Sequence, residues 1–237
     1  MTRRHWIADE VSGNRAVLVG SHAQHLVKVL RAQVGQSFDL ITGDAVRNGR
    51  VVSVHDDRVE FELGEEVLST ALPSLALLLA IFKFDRLEWA IEKCTELGVQ
   101  RILPVIARRT DAHLAAAAAK RVERWRRIVQ QASEQSRRAS VPPVGEPLLL
   151  KNALGEQAAH RIVLSEGERG VTLRDALHSH RSGESVLLAV GPEGGWTEEE
   201  LACFEENAWI TASLGETILR AETAAIAATA IAVSAMD

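Results

Sequence analysis

From residue 75 onwards, the chain alternates short apolar runs with segments of helical periodicity. The run LALLLAIF (75–82) is apolar throughout, which is typical of a strand buried on both faces of a parallel sheet. The helix pattern FDRLEWAIEKCTELG follows and ends at Gly98, which suits a C-terminal cap. Four further strand patterns, VQRILPVIA, HRIVLSE, SVLLAVG and WITASLG, each precede a helix pattern. This alternation predicts an α/β domain with a mainly parallel sheet.

Residues 1 to about 70 carry a different pattern, in which short strand patterns are separated by Gly, Asn and Asp. Asn48-Gly49 is a strong hairpin signal, and HDDR (55–58) predicts a second tight turn. One helix, HAQHLVKVLR with Ser21 as its N-cap, interrupts the strands. These patterns predict a small β-barrel. Because Pro73 breaks the chain, we place the boundary near 70–74 and predict domains of 1–72 and 73–237.

The composition restricts the class of protein. Of the 237 residues, 25% are charged and 46% hydrophobic, as in ordinary globular proteins, and the formal charge of −5 leaves room for only a local basic face. Cys94 and Cys203 are isolated, which indicates neither a disulfide framework nor a zinc site. The start of the chain does not resemble a signal peptide, and the most apolar run is too short to cross a bilayer. We therefore expect a cytoplasmic protein without a membrane span.

The segment GPEGGWTEEEL (191–201) places three glycines between a strand pattern and a helix pattern. Open α/β sheets bind ligands at this end of their strands. Thr197 and Glu200 form a capping box that predicts a helix start at Thr197. Neither the phosphate-loop motif nor the dinucleotide fingerprint is present, and Glu193 suits a neutral or cationic ligand better than a phosphate. The alternative is a tight turn without a ligand.

A second segment, SLGETILRAETAA (213–225), has the same arrangement. A short strand pattern ends at Gly215, and Arg220 and Glu222 lie at the turn before a helix. Alone, these two residues would indicate a structural pair at a helix start. Two such loops at the same end of one sheet favour a shared ligand.

Basic residues are concentrated in 101–138, which contains ten basic residues and only three acidic ones. On the long helix predicted there, apolar residues such as Val122, Trp125 and Val129 share one face, and Lys120, Arg124 and Arg127 lie opposite. This asymmetry favours contact with a polyanion such as RNA, and a solvated helix face is the alternative.

Two histidines and three tryptophans have mainly structural interpretations. His22 and His25 lie one helical turn apart, but we expect no carboxylate or thiol near them, so we assign a structural or RNA-contact role and no metal. Trp89 and Trp125 are expected in the core. Trp196 is expected to pack beside the glycine loop, which comprises residues 191–195.

Five segments together resemble the bacterial 16S ribosomal RNA (uracil-N3)-methyltransferases: HLVKVLR, IEKCTELGV, ASEQSRRASVPPV, GPEGGWTEEEL and LGETILRAETAA. They occur in the family's order and cover nearly the whole chain. Trp196 and Arg138 are mild departures from the family pattern.

The resemblance implies a fold and a cofactor. The C-terminal part would be a SPOUT-type domain, an α/β domain with a mainly parallel sheet and a trefoil knot, and the N-terminal part a PUA-like β-barrel that helps to hold RNA. The family works as a homodimer, uses S-adenosyl-L-methionine and modifies 16S rRNA in the small ribosomal subunit.

The resemblance also assigns site residues. The glycine loop, the 214–220 segment and, with it, VLSEGE (163–168) would form the cofactor pocket. The residues predicted to bind the cofactor are Leu164, Glu166, Gly191, Pro192, Glu193, Gly194, Gly195, Leu214, Gly215, Ile218, Leu219 and Arg220. Arg220 would orient or stabilise the target base, and Glu222 would accept a proton or support Arg220. The residues predicted to contact RNA are Lys28, Arg31, Arg109 and Arg137.

Three other functions are alternatives to this one. A related methyltransferase could modify a different RNA position, such as a ribose 2′-OH or a tRNA base. A non-catalytic RNA-binding assembly factor could keep the same fold. A generic nucleotide-binding protein is disfavoured because the phosphate-loop lysine is missing.

Overall fold

The computed structural model describes residues 5–43, 45–67 and 73–236, and the chain divides into two compact units. One unit comprises 1–71 with 133–141, and the other comprises 72–132 with 142–237. The predicted domain boundary, near 70–74, touches residues 68–72, which lie outside the described residues. The segment 133–141 joins the first unit although it is far from it in sequence.

The first unit is built on a six-stranded sheet with the order β1-β4-β5-β6-β3-β2. All neighbouring strands are antiparallel except β1 and β4, which are parallel. Its buried core includes Trp6, Leu18, Leu40 and Phe61. The strands are β1 (Trp6–Ile7), β2 (Glu10–Ser12), β3 (Arg15–Val19), β4 (Ser37–Ile41), β5 (Val46–His55) and β6 (Arg58–Val67).

The hairpin predicted at Asn48-Gly49 is wrong. Both residues lie inside the continuous strand β5, beside an irregularity in its pairing with β6. The glycine is required by packing: a Cβ at Gly49 would overlap the Leu40 side chain and lie 3.3 Å from Cβ of Phe61. The chain instead reverses at 55–58, where His55 pairs with Arg58, so the second predicted turn is confirmed.

The helix predicted after Ser21 also differs from the structure. Helix α1 (Gly20–Gln24) has Val19 as its N-cap residue, without a side-chain cap, and continues as a π-helical turn over His25–Val29. Ser21 is therefore inside the helix and does not cap it. Gly20 adopts a positive φ of 56° and donates its N–H to the carbonyl of Asp57, and the helix begins at Gly20, two residues before the predicted start at His22.

Carboxylates do lie beside His22, contrary to the sequence-based expectation. Its Nδ1 is 3.4 Å from Oδ2 of Asp9, and its Nε2 is 3.2 Å from Oε1 of Glu134. Glu134 is far away in sequence, so only the tertiary fold of the first unit brings it close. His22 therefore lies between two carboxylates, which supports a structural role for this residue.

The second unit is built on a six-stranded sheet with the order β12-β10-β11-β7-β8-β9, and every neighbouring pair is parallel. The predicted α/β class with a parallel sheet is confirmed. All five residues of the central strand β11 are buried, as expected for a sheet covered on both faces. The strands are β7 (Leu75–Ala80), β8 (Arg101–Ile106), β9 (Leu148–Leu149), β10 (His160–Leu164), β11 (Val186–Val190) and β12 (Ile210–Ala212).

The helices of this unit pack on the sheet and on one another. Helix α8 packs on β7, β11 and α2, while α7 packs against β12. The helices are α2 (Phe84–Leu97), α3 (Ala112–Ala117), α4 (Val122–Gln135), α5 (Leu150–Ala153), α6 (Leu173–Ala176), α7 (Glu198–Glu206) and α8 (Ala221–Met236). Gly98 ends α2 in the left-handed conformation, and Thr197 with Glu200 forms the capping box of α7, so both predicted caps are confirmed.

The long helix predicted before residue 139 is two helices. Asp111 caps α3 by accepting the N–H groups of His113 and Leu114, and a 3₁₀ turn over Ala118–Arg121 separates α3 from α4. The predicted apolar face is confirmed, because Val122, Trp125 and Val129 are buried.

Trp89 is not a core residue. Its side chain is 48% exposed, because the buried face of α2 carries Leu87, Ala90, Ile91 and Cys94. At 100° per residue, Trp89 points away from that face.

Candidate functional site: a cleft at the carboxyl ends of three strands

A cleft opens where strands β10, β11 and β12 end. The segments that follow them, beginning at Ser165, Gly191 and Ser213, provide most of its lining. The cleft encloses about 800 Å³ including the solvent at its mouth. The parallel sheet explains the convergence, because its strands end at the same edge.

The structure brings most of the predicted cofactor-binding residues into this one cleft. Ten of the twelve line it: Leu164, Glu166, Gly191, Pro192, Glu193, Gly195, Leu214, Gly215, Ile218 and Leu219. The other two, Gly194 and Arg220, are adjacent in sequence to lining residues but do not line the cleft themselves. The assignment of all twelve residues to the cofactor stays a prediction.

The other lining residues were not named individually as cofactor-binding, although Ser165, Glu216 and Thr217 lie inside the segments expected to form the pocket. The full set is Ser165, Arg169, Val190, Trp196, Ser213, Glu216, Thr217, Ala221 and Ala224. Most are direct neighbours of predicted residues and could have been included by extending each segment. Arg169 comes directly after the predicted segment 163–168 and belongs to no recognisable motif, so nothing in the sequence pattern indicated it.

The glycine loop owes its shape to several close approaches. A Cβ at Gly191 would lie 3.2 Å from the Trp196 ring, and Gly195 adopts a positive φ of 70°. Trp196 is buried, donates its indole N–H to the carbonyl of Leu164 at 3.1 Å, and packs edge-on against Phe204. The expected packing role of Trp196 is therefore confirmed, and the same ring also lines the cleft.

The segment 213–219, which follows β12, forms a more exposed part of the lining. Gly215 adopts a positive φ of 116°, and the Ile218 side chain is 74% exposed.

The β10 segment is ordered by its own carboxylate. Glu168 accepts the backbone N–H groups of Gly170 at 2.6 Å and Val171 at 3.1 Å. These hydrogen bonds, the Gly170 bond first, lower the pKa of Glu168 below its ordinary value. The carboxylate therefore stays ionised and keeps the turn beside Arg169 closed.

The two predicted catalytic residues occupy different environments. Arg220 is exposed, and its carbonyl accepts the N–H of Ala224 in the first turn of α8. Glu222 is buried, and its Oε1 lies 3.8 Å from Nη1 of Arg86 on α2. Glu222 does not line the cleft, and its ion pair is with an arginine that no sequence motif indicated.

The predicted RNA-contact residues are all exposed. Lys28, Arg31 and Arg137 belong to the first unit, and Arg31 and Arg137 have positive φ values of 53° and 59°. Arg109 belongs to the second unit and donates to carbonyls of the glycine loop. None of the contacts of these residues bears on RNA binding, so the RNA-contact role of all four remains a prediction.

Acids from inside and outside 101–138, with Glu88 and Glu146 among the outside ones, neutralise part of the basic region. Glu88 pairs with Arg121 and Arg124, and Arg126 pairs with Glu123 and Glu146. Arg138 is buried, and burial lowers its pKa to about 10. The local excess of positive charge is therefore smaller than the count along the sequence indicates.

The described ranges lack two kinds of feature. In 5–43, 45–67 and 73–236, His, Cys, Asp and Glu form no group of three or more that could hold a metal ion. In the same ranges, no helix combines the length and the apolar character needed to cross a bilayer.

Comparison with known proteins defines the class. A family model described as an RNA methyltransferase domain matches residues 70–233, which include every residue of the cleft. The fold and the site are thus those of an RNA methyltransferase.

Relatives narrow the class to one family. The chain is 34% identical over 226 residues to ribosomal RNA small subunit methyltransferase E of Mycobacterium bovis, covering 92% of this chain and 85% of the relative. The Bacillus subtilis protein of the same name is 31% identical, with coverage of 87% and 85%. The crystal structure of this methyltransferase from Neisseria gonorrhoeae, bound to S-adenosyl methionine, has a TM-score of 0.84 at 31% identity and covers 96% and 95% of the two chains. The chain belongs to the ribosomal RNA small subunit methyltransferase E family.

Proposed function

We propose that the protein transfers a methyl group from S-adenosyl-L-methionine to N3 of a uracil in the 16S rRNA of the small ribosomal subunit. One observation carries the proposal: the loops after β11 and β12, both recognised in the sequence, line a single cleft with the segment after β10. The small-subunit substrate is supported by the names of the relatives.

The residues of the cleft suit the chemistry of this cofactor. Glu166, Glu193 and Glu216 bring negative charge to the lining, and Arg169 brings positive charge. S-adenosyl-L-methionine has a sulfonium and an ammonium, which carboxylates attract, and a carboxylate, which an arginine attracts. Glycine backbone at Gly191 and Gly195 allows the close approach that an adenosine edge needs.

When bound, the cofactor supplies a methyl group on a positively charged sulfur. The protein's residues then have to align the base, exclude water and deal with the N3 proton. We propose that Arg220, which is exposed and lies in sequence between the cleft residues Leu219 and Ala221, orients the base and stabilises the developing anion. The burial of Glu222 beside Arg86 supports a role in fixing the start of α8 over a role as proton acceptor.

We extend the proposal to the substrate and the assembly. N3 is a pairing position, so the target uracil has to be unpaired or turned outwards. Lys28, Arg31, Arg109 and Arg137 are the proposed RNA contacts. We further propose that 1–72 form a PUA-like barrel, that 73–237 form a SPOUT domain with a trefoil knot, and that the protein is a cytoplasmic homodimer.

The experiment incubates the purified protein with radiolabelled S-adenosyl-L-methionine and small ribosomal subunits that lack the modification, and then identifies the labelled nucleoside. We expect 3-methyluridine in 16S rRNA, and no incorporation into subunits that already carry it. Label on a ribose or another base would assign the enzyme to a different RNA position. No label, together with no calorimetric binding of the cofactor, would favour a non-catalytic RNA-binding factor.

A further inference from the structure

Arg109 connects the segment after β8 to the glycine loop after β11. Its Nη1 donates to the carbonyl of Gly194 at 2.6 Å and to the carbonyl of Trp196 at 3.2 Å. The residue between those carbonyls, Gly195, lines the cleft in a positive-φ conformation, and Trp196 lines it too. The guanidinium therefore joins the carbonyls on either side of Gly195, inside the loop that lines the cleft.

Packing supports the same connection. A Cβ at Gly194 would lie 3.3 Å from Cδ and 3.5 Å from Cβ of Arg109. Gly194 does not line the cleft, so its missing side chain makes room for the arginine. The backbone is fastened as well, because the N–H of Arg108 donates to Oε1 of Glu200 at 2.7 Å, in the first turn of α7.

We propose that Arg109 is a positioning residue for the methyl donor, acting through the glycine loop and without touching the donor itself. A planar guanidinium with a fixed array of donors can bridge two carbonyls in one geometry, which a flexible ammonium does less well. Removing it leaves the conformation around Gly195 less constrained, so the cleft would be less well formed before the donor binds. The inference rests on the proposed function, since it assumes that the donor occupies this cleft.

The competing role is contact with RNA, which the family resemblance assigned to Arg109. The two roles differ in one measurable respect. An RNA contact affects donor binding only when RNA is present, whereas a loop-positioning residue affects donor binding in its absence.

The first experiment measures the Kd of S-adenosyl-L-methionine by calorimetry without RNA, for the full-length wild type and three variants. Arg109→Ala should raise the Kd about tenfold or more, the scale expected for losing a charged hydrogen-bond donor. The Kd of Arg109→Lys should lie between those of the wild type and Arg109→Ala. The matched control, Arg108→Ala, removes the same charge from the neighbouring exposed side chain but keeps the backbone N–H that Glu200 accepts, so its Kd should stay near that of the wild type.

The outcomes separate the two proposals. If the wild type does not bind the donor, the proposed function fails. If the wild type binds and Arg109→Ala binds equally well, the positioning role is overturned. The positioning role is also overturned if Arg108→Ala weakens binding as much as Arg109→Ala, because then only charge matters.

A second experiment tests the packing between Arg109 and Gly194 in a double-mutant cycle. Gly194→Ala should weaken donor binding in the wild-type background, because the added methyl group would lie 3.3 Å from Cδ of Arg109 and force that side chain to shift. In the Arg109→Ala background the same substitution should add little further loss, because residues in contact are not additive. Fully additive losses would contradict the inference.

Discussion

The carboxylate of Glu222, in the first turn of α8, lies 3.8 Å from the guanidinium of Arg86, in the first turn of α2. The Glu222 side chain is buried, and that of Arg86 is about one-third exposed. The Oε2 atom of Glu222 is buried without a hydrogen-bond partner among the described residues. The ion pair therefore links the first turn of α8, directly after the 213–220 segment, to the first turn of α2.

Arg86→Ala should destabilise the protein by about 1–3 kcal/mol, because it leaves the Glu222 carboxylate buried without its cation. The range is below that of a fully buried pair because Arg86 is partly exposed. Urea unfolding measures the loss, and the double variant Arg86→Ala/Glu222→Gln should recover part of it. A wild-type free energy of unfolding in Arg86→Ala would show that the pair contributes nothing.

Arg220→Ala should abolish methylation while the fold remains intact, because the exposed guanidinium is the group proposed to orient the base and stabilise its anion. The measurement is methyl incorporation into unmodified small subunits, with circular dichroism as the test of folding. Arg174→Ala, another exposed arginine of the second unit, serves as the control and should retain activity. Near-wild-type turnover in Arg220→Ala would remove Arg220 from the mechanism.

Gly49→Ala should destabilise the first unit by about 1–3 kcal/mol, because the new methyl group overlaps the Leu40 side chain in a packed core. Gly155→Ala is the matched control, since nothing lies within 4 Å of a Cβ there and the φ of Gly155 is not positive. Thermal unfolding of both variants measures the difference. Equal melting temperatures would show that β5 can shift without cost.

The stability of the protein should depend on Cys94 at alkaline pH. Burial raises the pKa of this thiol from 9.0 to about 12. Between these values the folded state keeps the proton that the unfolded state has lost, so the contribution of Cys94 is fully present below pH 9 and is lost as the pH rises towards 12.

The measurement compares urea unfolding of the wild type and Cys94→Ala across pH 8–11. Above pH 9 the wild type should lose stability more steeply, by at most about 1.4 kcal/mol per pH unit, the value for one proton. Parallel curves would show that Cys94 titrates alike in both states. Cys203, which is only partly buried, should react with thiol reagents faster than Cys94 in the native protein.

Local patterns accounted for much of the second unit. The continuous apolar run at 75–82 predicted a central strand, and the signals at Gly98 and Thr197 predicted helix boundaries, because these features depend on neighbouring residues alone. The same local logic failed at Asn48-Gly49, where the sequence signals a turn. Gly49 is required there because a side chain at that position would overlap Leu40 on the adjacent strand, and no local pattern contains this contact.

The sequence alone determined the α/β class, the alternation of strands and helices, and the two loops that contribute to the cleft, since periodicity and turn chemistry are properties of short segments. Only the tertiary structure decided that Arg109 bridges the carbonyls of Gly194 and Trp196, that Glu222 pairs with Arg86, and that Glu134 lies beside His22. Each of these contacts joins residues separated by many positions in the chain. Their distances depend on how the strands are ordered and how the helices pack, so charge and hydrogen-bond partners at these sites follow from the fold as a whole.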